Sequence, residues 1–182
     1  FAILLAVYLI GTTIGAAIYA RWLALRTEEE TILDRLLQML AAVCLLGILT
    51  IAIAKDIKTW LLDTVGHGVS SALAAEALIA FAAFLLPTVL MGALFSHLST
   101  AARARGISLG QALGVNTLGA AFAPLLFGVL LVPMLGSRIA LLLVALGYLA
   151  LVARRAWQQP AQWLVVAASA AGFAWGPRLT MI

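Results

Sequence analysis

Apolar residues along this chain come in long unbroken runs, and polar residues collect in the gaps between them. The first run covers about 1–20, "FAILLAVYLIGTTIGAAIYA", and is followed by the polar stretch "RWLALRTEEET". The second covers about 32–54. A connection carrying Lys55, Asp56, Lys58, Asp63 and His67 leads to a third run at about 71–98, which contains Pro87. The fourth covers about 108–132 and the fifth about 137–153, closed by Arg154 and Arg155. These runs approach or exceed the roughly 20 apolar residues that carry a helix across a bilayer. A transmembrane barrel would show alternating segments of about ten residues instead. The pattern predicts an all-α, polytopic transmembrane helix bundle with five to six spans. Residues 1–155 supply five of them. Residues 156–182 hold a shorter apolar segment, bracketed by Trp163 and Trp175. It reads either as a sixth short span or as an interfacial helix leading on to a soluble domain.

Composition agrees with this pattern and narrows it. The 182 residues are 65% hydrophobic and 10% charged, against about 45–50% and about 25% in ordinary soluble domains. The net charge of +4 does not indicate a nucleic-acid partner, because the basic residues sit between apolar runs and no Lys/Arg cluster is interleaved with aromatics. They report topology. Arg21, Arg26, Arg35, Arg103, Arg105, Arg154 and Arg155 fall on one side; Lys55, Lys58, Arg138 and Arg178 fall on the other. The positive-inside rule then places loops 21–31, 99–107 and 154–160 in the cytoplasm. Cys44 is the single cysteine, so neither an internal disulfide nor a cysteine metal cluster is expected. The chain opens at Phe1 inside an apolar run and closes on "GPRLTMI"; both ends read as internal to a longer protein.

Small residues mark the expected packing faces. Gly11 and Gly15 form a G-x-x-x-G pair in the first run. Gly110 and Gly114 form another in the fourth, followed by Gly119, Ala120 and Ala123. Apolar helices gain little by hiding from equally apolar lipid tails, so close backbone approach over small residues supplies the association. The first and fourth spans are therefore expected to be tightly packed inner helices. Asn116 lies inside the fourth span, where an unpartnered amide costs several kcal/mol. Two readings stand for it: a hydrogen bond to another helix, with Thr12 or Thr13 as partner, or a contact to a substrate.

Glu76, about five residues into the third span, also carries two readings. An acid inside a membrane segment is a functional candidate, as an ion or substrate contact, and near a helix N-terminus it also suits the helix dipole. Glu28–Glu30 and Asp34 read as a solvated acidic face at the start of the second span. His67 and His97 bracket the third span some 45 Å apart along a helix, so they cannot share one metal; His97 alone is a minor candidate for a haem or pigment ligand. No nucleophile triad, carboxylate pair, phosphate loop or Cys/His cluster is present in the sequence. Catalysis and resident cofactors are not expected of this chain.

Two stretches together resemble a known family. They are "FLLPTVLMGALFSHLS" at 84–99 and "GQALGVNTLGAAFAPLLFGVLLVPMLGSRIALLL" at 110–143, supported by "LIGTTIGAAIYARWLALR" at 9–26. They are similar to the membrane region of bacterial fused, spermidine-synthase-like proteins, and the last also to the cytoplasmic-loop signature of major-facilitator transporters. Departures are Ser96 where the family often has proline, Phe122–Ala123–Pro124 within the fourth span, and an acidic 21–31 loop. The resemblance implies a multi-pass module of a bacterial inner membrane. Polyamine synthesis would belong to a soluble aminopropyltransferase-like domain that is not part of this sequence. The implied roles are membrane anchor or transport domain; the alternative is an accessory subunit packed in a larger membrane complex. The expected partners are the lipid bilayer and other membrane subunits or that soluble domain.

Overall fold

The structure, a computed structural model, describes residues 2–25, 29–65 and 68–152, together with Trp163, Ala167 and Ala170. The described chain is helical: α1 Ala2–Ile18, a π-helical turn Tyr19–Leu23, α2 Glu29–Val65, α3 Val69–Ala104, α4 Leu109–Ala123, a π-helical segment Pro124–Leu131, and α5 Val132–Ala150. Among the described residues, three stretches are long and apolar enough to cross a membrane: Ala2–Leu23, Val69–Ala104 and Leu109–Ser137. Ile139–Ala150 is a shorter apolar helix. The loop predicted at 154–160 and the segment 156–182 lie outside the described residues, apart from the three named above.

Helix α2 is longer than the pattern predicts. The connection from Lys55 to Asp63 is not a loop; α2 runs through it to Val65. The reason is local, since Ala54–Val65 contains neither glycine nor proline and charged side chains do not end a helix. Helix α3 likewise continues past the predicted boundary to Ala104, so Arg103 sits in its last turn and the 99–107 loop shrinks to a tight corner. Gly106 makes that corner at φ 83. Its N–H donates to Arg103 O at 3.0 Å and Ile107 N–H donates to Ala102 O at 3.0 Å, the double bond that closes a helix over a left-handed glycine. Ser108 then caps α4: its Oγ accepts from Gln111 N at 3.2 Å, and Gln111 Oε1 accepts from Ser108 N at 3.0 Å.

Both prolines of the apolar runs are absorbed within helices. Pro87 lies inside α3 and leaves the Ala83 carbonyl without its amide donor; in the next turn the Thr88 hydroxyl donates to Phe84 O and Leu85 O at 2.8 and 2.9 Å. Pro124 opens the π segment, which closes with Val132 N–H donating to Phe127 O. Widening the turn suits a residue that cannot donate to the preceding turn. Gly136, at φ 82 and ψ 158, breaks the axis within α5, at the boundary predicted between the fourth and fifth runs.

Helix α1 packs on α3, α3 on α2, and α2 on α5, whereas α4 meets α3 only marginally. The α1–α3 seam rests on small residues. A Cβ at Gly11 would overlap Thr88 Oγ1, one at Gly15 would overlap the Val89 carbonyl oxygen, and one at Gly92 would overlap the Thr12 backbone. Larger side chains take over where α2 joins. Tyr19, Ile32, Leu36 and Ala93 form one cluster; Ala41, Leu45 and Ala145 form another against α5.

The fourth span departs from expectation. No residue of α4 or of the π segment is buried within this chain. A Cβ at Gly114 or Gly119 would meet nothing within 4 Å, and one at Gly110 only Ser108 Oγ at 3.9 Å. Within this chain α4 is a peripheral helix. Among the described residues, the Gly11–Gly15 face of α1 has a facing helix and the glycines of α4 have none.

Candidate functional site

Grooves form where helices diverge, and several of them bring polar side chains together. The first lies between α1, α3 and α4, with a volume of about 410 Å³. Tyr8, Thr12 and Thr13 line it from α1, Ser96 from α3, and Asn116 from α4. Gly92 sits at its floor, so the close α1–α3 contact forms the base and α4 forms the far wall. Asn116 therefore faces the two threonines predicted as its partners. It does not bond to them. Thr12 Oγ1 donates to Tyr8 O at 2.9 Å and Thr13 Oγ1 to Leu9 O at 2.7 Å, both on their own helix, the usual refuge of a hydroxyl in an apolar helix. Asn116 is exposed and makes no hydrogen bond among the described residues. Its amide points into an open groove, because α4 stands off from α1 instead of closing on it.

The second groove lies between α1, α2 and α3, at about 320 Å³, and holds Lys58 and Glu76 among Ile3, Leu4 and Phe84. Lys58 Nζ and Glu76 Oε1 are 3.8 Å apart, with side chains 47% and 59% exposed. The pairing exists because α2 continues as helix through Lys58 and runs back alongside α3. The predicted connection between spans gives no reason to bring these two residues together. An exposed pair of this kind contributes little stability, but it compensates the acid locally.

The third groove, about 670 Å³, lies where the π turn after α1 meets the start of α2, with Val89, Leu90 and Ala93 of α3 behind it. Arg21 and Arg35 line it. In the π turn, Ala24 N–H donates to Tyr19 O at 2.9 Å. This turn buries Tyr19 and leaves Arg21 and Trp22 exposed.

The remaining candidates distribute as follows. Gly11 and Gly15 are buried in the α1–α3 seam, while Gly110, Gly114 and Gly119 are exposed on α4. His97 is 4% exposed, its ring set edge-on to Tyr19 at 5.6 Å and 74°. Among the described residues no group of three or more His, Cys, Asp or Glu gathers as a metal site would require. His67 lies outside the described residues.

Asp34 is not on a solvated face. It is buried, as is Gln38 one turn on, on the same side of α2 as the buried Ala41 and Leu45. That stripe was legible as an i, i+4, i+7, i+11 series, but charge at a helix start reads more simply as exposed. Gly92 and Thr88, which receive α1, escaped sequence reasoning as well. Thr88, Gly92 and Ser96 repeat a small residue every fourth position, and this was the available signal.

No protein-family model, curated protein or solved structure matches the chain.

Proposed function

We propose that this chain is the non-catalytic, multi-pass module of a bacterial inner-membrane protein of the spermidine-synthase-like fused kind, acting as membrane anchor and assembly surface. In this reading α2 and the helix after Gly136 add to the three long apolar stretches to give five spans. The observation that carries it is the state of α4. This helix has no buried residue within the chain, yet one of its faces holds Gly110, Gly114 and the polar Thr117. At 100° per residue, Gly110, Gly114, Thr117 and Ala121 fall within an arc of roughly 60°. The groove-lining positions Leu113 and Asn116 point elsewhere. A small-residue stripe turned away from the chain's own bundle is suited to close approach by a helix from outside it. The Lys58–Glu76 pair supports anchoring over polyamine conduction. A passage for a polycation calls for several uncompensated acids, and Glu76 has its own ammonium partner.

Cross-linking in native membranes tests the assembly role. In a Cys44→Ala background, Gly114→Cys is expected to cross-link to a second helix-bearing chain, and Phe122→Cys, also exposed but about 80° around the helix from Gly114, is expected to cross-link far less. A lone monomer in mild detergent with no cross-link from position 114 defeats the proposal. Asn116→Leu, off the stripe, is expected to leave both the α1–α3 core and the cross-link from position 114 intact.

A second reading, the transport domain, draws on the groove between α1, α3 and α4. Tyr8, Thr12, Thr13, Ser96 and Asn116 converge there near the middle of α1, as a solute site between membrane helices would require. Uptake of labelled polyamine into proteoliposomes, reduced by Asn116→Leu, would favour it over the anchor; uptake no higher than in empty vesicles would remove it.

A further inference from the structure

We propose that the groove at the α1–α2 junction is a binding site for an anionic phospholipid. The proposal requires only that the chain lie in a bilayer and is independent of the anchor reading. Ile18, Leu36, Met39 and Leu90 give the groove apolar walls, and Arg21 and Arg35 bring two guanidinium groups to the same space of about 670 Å³. Both arginines are exposed, and neither makes an ion pair or hydrogen bond among the described residues. Among the described residues, no acid pairs with either of them. Glu30 is exposed on α2, and Asp34, adjacent to Arg35 in sequence, is turned to the buried side of the helix.

Two unpaired guanidinium groups above an apolar trough ask for a ligand with an anionic head and an apolar tail. Guanidinium presents a planar fork that matches a phosphate diester, and the walls accept an acyl chain. The depth is also right. The π turn ends the first apolar stretch and Arg35 lies in the opening turns of α2, so both charges sit where the helices leave the apolar layer. Trp22, 67% exposed at the same level, is placed as an interfacial aromatic. Basic pockets between membrane helices near one surface are a recognised form of lipid headgroup site. The occupant that fits both charge and walls is a phospholipid of net negative headgroup, the phosphatidylglycerol class.

Trp22 supplies the reporter. The full chain, with Trp60, Trp157, Trp163 and Trp175 replaced by Phe, is placed in mixed micelles and titrated with phospholipid brominated on its acyl chains. Brominated phosphatidylglycerol is expected to quench Trp22 at roughly tenfold lower mole fraction than brominated phosphatidylcholine, given two basic contacts at the surface. Arg21→Gln with Arg35→Gln is expected to bring the two lipids level. Arg21→Lys with Arg35→Lys is expected to keep part of the preference, which separates lost charge from a lost fold. Arg103→Gln with Arg105→Gln, basic residues outside the groove, is expected to change nothing. Equal quenching by both lipids overturns the proposal. So does a preference lost equally in the 103/105 variant, since that is a general surface-charge effect. Displacement of the brominated lipid by soluble glycerol phosphate at millimolar concentration also overturns it, because the site would then be one for a free anion.

Discussion

A Gly15→Ala substitution tests the α1–α3 seam most directly. The added methyl would meet three backbone atoms of α3: the Val89 carbonyl oxygen, in overlap, and Val89 C and Ala93 N, each at 2.8 Å. Backbone cannot rotate aside as a side chain can, so the two helices must separate by about 1 Å to restore ordinary contact. At that gap each atom pair across the seam forfeits a quarter to a half of a well about 0.1–0.2 kcal/mol deep. Some twenty such pairs flanking the glycine would lose about 0.5–2 kcal/mol together, and the roughly 1–3 kcal/mol typical of overpacking puts the loss in the upper part of that range, about 1–2 kcal/mol. Alanine recovers up to about 1 kcal/mol through its better helix propensity. The net loss for Gly15→Ala is therefore at most about 2 kcal/mol. Gly114→Ala on α4 carries the same propensity gain and no clash, because its Cβ would meet nothing within 4 Å. The comparison cancels propensity, leaving a gap of about 1–2 kcal/mol between the two variants. SDS-titrated unfolding followed by circular dichroism, or thermal unfolding in a mild detergent, reads it. Equal stability of the two variants, or a larger loss at Gly114, refutes the seam as described.

Other expectations follow from the same geometry. Glu76→Gln and Lys58→Gln should each shift stability by less than about 1 kcal/mol, since both partners are largely exposed; a large loss in the same SDS titration would mean the pair is shielded in the membrane. Gly136→Ala forces a Cβ into φ 82 and should cost about 1–2 kcal/mol, although nothing crowds the site; unchanged thermal stability would argue against the break in α5. Ser108→Ala removes the α4 cap and should cost about 1 kcal/mol, visible as faster amide exchange at Gln111 and its neighbours.

The resemblance to the fused membrane proteins rests mainly on 84–99 and 110–143, and the two stretches fare differently in space. The first, carrying Thr88 and Gly92, is the surface on which α1 lies. The part of the second that carries Asn116 and the fourth-span glycines, α4 with the π segment, has no buried residue. Local sequence cannot tell these cases apart, because a glycine repeat encodes permission for close approach and not the identity of the approaching helix.

By itself, the sequence determined what depends on neighbours along the chain. Continuous apolar runs fixed helices long enough for a bilayer, and Gly106, Ser108 and Gly136 fixed where helices end or turn, because capping and φ preference act within a few residues. Tertiary structure alone decided the rest. Asp34 is buried because its face of α2 happens to be the one meeting α5. Lys58 and Glu76 pair because α2 stays helical beside α3. Arg21 and Arg35 share a groove because α3 holds the end of α1 against the start of α2. Each of these is a relation between residues on different elements, set by which faces pack, and no periodicity within one helix records it.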